Sequence, residues 1–162
     1  MQNIFTHIEC LDIINKANQL NNWKRNQKND EYSYYVCDLE LDINYTDIIK
    51  KYANQFLNLN IKNVKVAVLK YIPGDFFGEH TDNNQYSNFT HDFLYNLNVR
   101  LNDDYIGGEF YLNGEEFTNE VGKLYHYEST ILHEVKPIIS GIRYSALFYI
   151  RTRDLNHKIS LL

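Results

Sequence analysis

The chain has 162 residues and a formal net charge of −5, from 16 basic and 21 acidic side chains. That length fits one domain around one sizeable core. The acidic balance, with no Lys/Arg-rich run, argues against nucleic acid or an anionic membrane as partner, and no apolar run approaches the roughly 20 residues that span a bilayer.

The opening segment, "MQNIFTHIECLDII", lacks the basic start and continuous apolar core of a signal peptide. From Thr6 the chain reads as a helix. Thr6 and Glu9 have capping-box spacing, in which each side chain satisfies the other residue's backbone N–H, and Leu11, Ile14, Ala17 and Leu20 follow at helical spacing, with Ile13 widening the stripe. The segment "YSYYVCDLELDI" alternates as a strand does, and a second helix is expected from about Thr46, with Ile49, Tyr52, Ala53, Phe56 and Leu57 on its apolar face. The two cysteines, Cys10 and Cys37, have neither metal-ligand spacing nor the density of a disulfide framework, so both are read as structural and a reduced cytoplasm is the expected compartment.

After residue 62 the texture turns to strand. "VKVAVLKYI" is rich in β-branched residues and ends at the Pro73-Gly74 turn. The polar "TDNNQYSNFTHD" reads as a loop able to act as a substrate lid. "FLYNLNVRL" alternates with period two, placing Phe93, Tyr95, Leu97, Val99 and Leu101 on one face and Leu94, Asn96, Asn98 and Arg100 on the other. Gly107-Gly108 interrupts, "EFYLNGEEFT" reads as a hairpin turning at Asn113-Gly114, and "GKLYHYEST", "ILHEV" and "GIRYSALFYIRT" supply further strands. Helices first and antiparallel strands after them give an α+β domain, a sandwich or barrel flanked by the early helices. No repeat or linker divides residues 1–162; about 1–60 form a helical support and about 62–152 the barrel core.

His80 and Asp82 are two apart, so on an extended backbone both side chains point the same way and can reach one ion. Alone the pair is a common surface pattern. In "LHEVKPIISGIRYS", His133 supplies a third ligand, Arg143 follows ten residues later, and Ser145 shares the face of Arg143. Two histidines and a carboxylate form the facial triad of non-haem Fe(II) oxygenases, with coordination positions left open. The competing reading makes His133 a turn residue and Arg143 a solvated charge. Yet Arg143 interrupts an apolar strand, where a buried guanidinium needs an anionic partner and presents a fork that matches a carboxylate. His91 and His126 are weaker candidates, His126 as a pocket-lining residue. Ordinary packing or hydrogen bonding is the commoner fate of such histidines.

The ordered set, H-x-D, then about fifty residues to a His, then ten to R-x-S, resembles the Fe(II)/2-oxoglutarate-dependent dioxygenases of the prolyl- and lysyl-hydroxylase-like branch. "HIECLDIINKA" looks like that family's opening helix, "LKYIPGDFFGEHTD" like its strand, turn and H-x-D segment, "NVRLNDDYIGGEF" like its Leu-Asn stretch before Gly-Gly-Glu, and "LHEVKPIISGIRYS" like its distal His and Arg. The resemblance implies a double-stranded β-helix, a jelly-roll-like barrel with the N-terminal helices packed on one sheet. It implies Fe(II) on His80, Asp82 and His133, and 2-oxoglutarate held through its distal carboxylate by Arg143 and Ser145. O2 would be the oxidant and ascorbate an accessory reductant. Tyr71 sits where relatives place a tyrosine facing the co-substrate, with a packed strand aromatic as the alternative. Arg100 replaces a tyrosine that touches 2-oxoglutarate in prolyl hydroxylases; it is expected to bind the co-substrate or an anionic part of the substrate, unless its face simply meets solvent. The implied activity is hydroxylation of an unactivated C–H bond, with prolyl or lysyl side chains of a protein or peptide as targets. A free-amino-acid hydroxylase and a non-catalytic metal-binding barrel are the alternatives, and nothing in the sequence sets the oligomeric state.

Overall fold

Thr6 and Glu9 close the capping box that their spacing predicts. The Thr6 hydroxyl accepts from the Glu9 N–H at 3.3 Å, and the Thr6 N–H donates to Glu9 Oε2 at 2.7 Å. The computed structural model describes residues 2–40, 43–59, 61, 64–82 and 93–151. Helix α1 runs His7–Leu20 and ends on Asn21, whose φ of 49° is the left-handed cap that asparagine tolerates. Its buried face is Cys10, Ile13, Ile14 and Ala17, whereas Leu11 and Leu20 are 56% and 52% exposed. The apolar stripe has therefore turned by a residue from the expected one, because the sheet beneath selects which face is covered. Helix α2, Ile43–Leu57, starts three residues before the expected Thr46 and buries Ile49, Tyr52 and Ala53, leaving Phe56 exposed.

The strands in chain order are β1 (Gln2–Asn3), β2 (Lys24–Lys28), β3 (Tyr32–Leu39), β4 (Lys65–Tyr71), β5 (Phe76–His80), β6 (Phe93–Arg100) and β7 (Ile106–Gly107). They continue with β8 (Phe110–Leu112), β9 (Glu115–Glu116), β10 (Lys123–Glu128), β11 (His133–Val135), β12 (Ile138–Ser140) and β13 (Arg143–Arg151). One antiparallel sheet runs β1-β10-β6-β13-β4-β3-β5-β11-β8-β9, with β2 paired to β3; β7 and β12 form a separate two-stranded piece. The sheet curls because β3 serves two neighbours. Its residues Tyr35–Leu39 pair with β4, and Tyr32 and Ser33 pair with β5. The result is the double-stranded β-helix, and its first forty residues supply three strands as well as a helix, more than the support expected of them.

Alternation assigns the two faces. Val66 and Val68 of β4, Leu97 and Val99 of β6, and Tyr144, Ala146 and Phe148 of β13 meet α1 and α2 in the main core. Each fully buried Val, Leu or Phe among them contributes about 1.5–3 kcal/mol. The other face turns Tyr71, Asn98, Arg143 and Ser145 inward, so the polar half of β6 and β13 lines the barrel. At the Ile72–Asp75 turn the Asp75 N–H donates to the Ile72 carbonyl at 2.8 Å, with Pro73 second and Gly74 third at φ 89°, the type II pattern that leads into β5. Asn113 and Gly114 take φ of 50° and 77°, both positive as the type I′ hairpin requires. His91 and the polar loop from residue 83 onward lie outside the described residues.

Candidate metal centre and its cavity

Strands β5 and β11 pair with His80 directly opposite His133, and Asp82 lies two residues past the end of β5. Ligand atoms of the three residues all fall within 4.8 Å of one another. Each imidazole is turned by the same local device. His80 Nδ1 donates to the Gly78 carbonyl at 2.8 Å, and His133 Nδ1 donates to the Ile131 carbonyl at 2.9 Å. That assigns the lone pair to Nε2 in both rings. The two Nε2 atoms stand 3.4 and 3.7 Å from the Asp82 carboxylate. Phe77 stacks flat on His80 with centroids 3.6 Å apart, and Tyr127 packs against His133 at 4.8 Å, so both rings are held in place.

Burial pushes the Asp82 carboxyl up, but His80, His133 and Asn96 together outweigh it and hold Asp82 below the ordinary carboxylate range. The Asn96 amide donates to Asp82 Oδ2 at 2.5 Å. Burial also pushes His133 below its usual value, more strongly than Asp82 raises it, which favours the neutral imidazole. An ionised carboxylate and the lone-pair nitrogens of two imidazoles thus converge, an acceptor-only set that suits a divalent cation.

The same cavity reaches Arg143, which is 4% exposed. Its Nη1 donates to Ser145 Oγ at 3.2 Å, its guanidinium lies 5.3 Å from the centre of the Tyr71 ring, and its Nε–H has no hydrogen-bond partner among the described residues. Burial works against the charge, but Tyr105, Tyr71 and Tyr125 outweigh it, so Arg143 stays a cation. Tyr105 also bonds its guanidinium, but among the described residues no carboxylate side chain pairs with it, and a ligand carboxylate would fit the free Nε–H. Tyr71, 1% exposed, lies on the cavity wall and belongs to a second buried cluster with Val135 and Ile138.

Arg100 is placed differently from the metal-ligand candidates. Its Nε and Nη1 donate to the Asn102 and Asn119 carbonyls at 2.9 and 3.0 Å, and it borders a second cavity with Arg143 rather than the one that contains His80. His126 does not line the pocket: it faces the helices, with Nδ1 2.9 Å from the Tyr52 hydroxyl, because its neighbours Tyr125 and Tyr127 take the inward positions of β10.

Two residues of consequence escaped the sequence reading. Asn96 was legible as polar on an alternating strand, but not as the donor to Asp82. Asp75, 2% exposed, accepts from Arg25 Nη1 and Nη2 at 2.7 Å each, from Ser33 Oγ at 2.7 Å and from the Ile72 N–H at 3.0 Å. It ties the β2–β3 hairpin to the turn that aims β5, and hence His80.

Residues 66–151 match the family model of the 2OG-Fe(II) oxygenase superfamily. A PKHD-type hydroxylase of Aliarcobacter butzleri (strain RM4018) is 30% identical, over 89% of this chain and 72% of the relative. A prolyl-4-hydroxylase of Pseudomonas putida has the same fold, with a TM-score of 0.75 and 16% identity over 93% of this chain and 90% of that one. The viral collagen prolyl hydroxylase of Paramecium bursaria Chlorella virus-1, solved with 2OG, superposes with a TM-score of 0.70 and 22% identity over 93% of both chains.

Proposed function

The chain belongs to the 2OG-Fe(II) oxygenase superfamily, and from that premise we propose that it hydroxylates a prolyl side chain of a protein or peptide, with a lysyl side chain as the second target. The observation that carries this reading is one cavity with two unlike ends. At one end His80, Asp82 and His133 converge, and at the other Arg143 is buried without a carboxylate partner among the described residues. A metal-binding barrel without catalysis would have no use for the second end. Support for a prolyl target comes from the like-folded prolyl hydroxylases of Pseudomonas putida and the Chlorella virus.

His80, Asp82 and His133 would hold iron(II), and Arg143 with Ser145 would hold the distal carboxylate of 2-oxoglutarate. Bound iron, with 2-oxoglutarate and O2, supplies the oxidising chemistry that converts C–H to C–OH. The chain's own work is orientation and exclusion. The Gly78 and Ile131 carbonyls hold the imidazoles at one tautomer, Asn96 holds the carboxylate, and Arg143 and Ser145 fix one end of the co-substrate so that its other end meets the metal. Tyr71, Phe77, Tyr127 and Leu147 wall the cavity with apolar surface.

The test begins without oxygen. Iron(II) and 2-oxoglutarate together should give a visible absorption band with the wild type, a weaker one with Arg143→Ala and none with His133→Ala. Proline peptides, lysine peptides and free proline are then offered with O2, and products are weighed for one added oxygen atom. A band with turnover only on free proline would move the substrate to small molecules. Folded protein that gives no band would remove the co-substrate assignment.

A further inference from the structure

Strands β5 and β11 do not keep step. His133 and Val135 are two residues apart on β11, yet they face His80 and Phe77, three apart on β5. The extra residue makes a β-bulge at Gly78 and Glu79. On a regular strand, positions 77 and 80 would point to opposite faces. The bulge turns both inward: Phe77 and His80 line one cavity with their rings stacked 3.6 Å apart, while Glu79 is exposed.

The turn that joins β2 to β3 grips this bulge. The Gly78 N–H donates to the Glu31 carbonyl at 2.7 Å, and the Gly78 carbonyl, on the next peptide group, accepts from His80 Nδ1 at 2.8 Å. One residue therefore carries both the bond that seats the bulge and the bond that turns the imidazole. It leaves no room for a side chain: a Cβ on Gly78 would stand 2.9 Å from the Glu31 carbonyl oxygen, a backbone atom that cannot swing aside. The turn is closed by the Glu31 N–H on the Lys28 carbonyl at 3.1 Å, with Asp30 at φ 55°. His133 is turned from elsewhere, since its acceptor is the Ile131 carbonyl just ahead of β11.

On the reading of His80, Asp82 and His133 as an iron(II) site, we propose that Gly78 is a positioning residue for the metal, through which the β2–β3 turn sets the His80 imidazole. Ordinary contact begins near 3.4 Å, so relief of the clash from an added Cβ takes roughly 0.5 Å, as much as a binding constellation tolerates. That displacement carries the Gly78 carbonyl with it, and the His80 ring follows its acceptor. The His133 ring, on a different carbonyl, stays in place.

The test starts from the full chain, metal-free at about pH 8 where histidine is neutral, with long-range 1H–15N spectra of the imidazole rings. Wild-type His80 is expected in the Nδ1–H form. Gly78→Ala should shift His80 toward a mixture of the two tautomers and leave His133 unchanged, a contrast that general loosening of the fold would not produce. Zinc competition against a chromophoric chelator should then show about tenfold weaker binding for Gly78→Ala. Asp30→Val strains the turn at its positive φ, whereas Asp30→Gly is at ease there; the first should weaken zinc likewise, and the second should match the wild type. An unchanged His80 ring or an unchanged zinc affinity in Gly78→Ala overturns the proposal, as do equal shifts of His80 and His133. If Gly78→Ala misfolds, the Asp30 pair decides, and equal zinc affinities of its two variants overturn the proposal. Zinc binding that survives His133→Ala would count against the metal site itself, while the ring spectra would still decide the role of Gly78.

Discussion

Asn96 donates to Asp82 Oδ2 from β6, a strand that contributes no metal-ligand candidate of its own. The carboxylate is thereby oriented by a strand outside the β5–β11 pair that holds both histidines. Asn96→Ala is expected to keep the fold and to lower metal affinity by roughly 10–100-fold. Zinc competition against a chromophoric chelator reads this directly, and an unchanged affinity would mean that Asp82 is held without Asn96.

Arg143→Met should separate binding from stability. A buried charge without a carboxylate partner adds little to the ligand-free fold, and an apolar side chain of similar reach is expected to leave its melting temperature unchanged or raise it. Binding of 2-oxoglutarate should weaken by about 2–5 kcal/mol. Calorimetric titration beside a thermal melt checks both halves; a clear fall in the melting temperature would make Arg143 a structural residue first.

Metal removal is expected to leave the sheet intact. The main core lies between α1, α2 and the outer face of the sheet, while the histidines sit on the inner side. A chelator should lower the folding stability by no more than ligand release accounts for, about 2.7 kcal/mol at a metal concentration one hundred times its dissociation constant. Collapse of the far-ultraviolet dichroism on chelation would instead mark the metal as part of the fold.

The Asp75 pair makes stability depend on acidity. Burial pushes Asp75 up, but Arg25, Ser33 and the Ile72 N–H outweigh it, so its folded pKa lies below the unfolded value of about 3.8. A lowered folded pKa stabilises fully above the unfolded value and fades as pH falls through the folded one. Asp75→Asn should therefore cost about 3 kcal/mol near neutrality. The gap from wild type should narrow as the pH drops below about 4. Urea titrations at neutral and acid pH test the sign; a gap that widened in acid would contradict it.

Gly108→Ala should disturb both stability and Arg143. At φ 67° an alanine is strained, and its Cβ would come within 2.3 Å of Ile138 Cδ1 and 3.1 Å of Arg143 Cδ. A loss of about 2 kcal/mol is expected from conformation and overpacking together. Weaker 2-oxoglutarate binding should accompany it, measured as for Arg143→Met.

What the sequence could reveal was what its neighbours in the chain decide. The Thr6–Glu9 cap, the Asn113-Gly114 turn and the polar face of Asn96, Asn98 and Arg100 are local patterns and reappear in the fold. His80, Asp82 and His133 were readable because two lie close in sequence and the third falls at a recognisable distance. Strand β2 was not. "KRNQK" has no apolar alternation to show, and it is held by hairpin bonds to β3 and by Arg25, whose partner Asp75 is fifty residues away. The exposed Leu11 and Leu20 mark the same limit: helical period is local, but the face that is covered is chosen by the sheet.

The place of β3 bears on where the protein can be cut. The segment that matches the superfamily model begins at residue 66, yet residues 32–39 lie in the interior of the strand order, between β4 and β5. A fragment trimmed to that segment would keep His80, Asp82, His133 and Arg143 but lose the seam joining the strand opposite Arg143 to the strand that ends on His80. The shortest piece able to hold a metal and a 2-oxo acid at a fixed separation must therefore reach back to the β2–β3 hairpin.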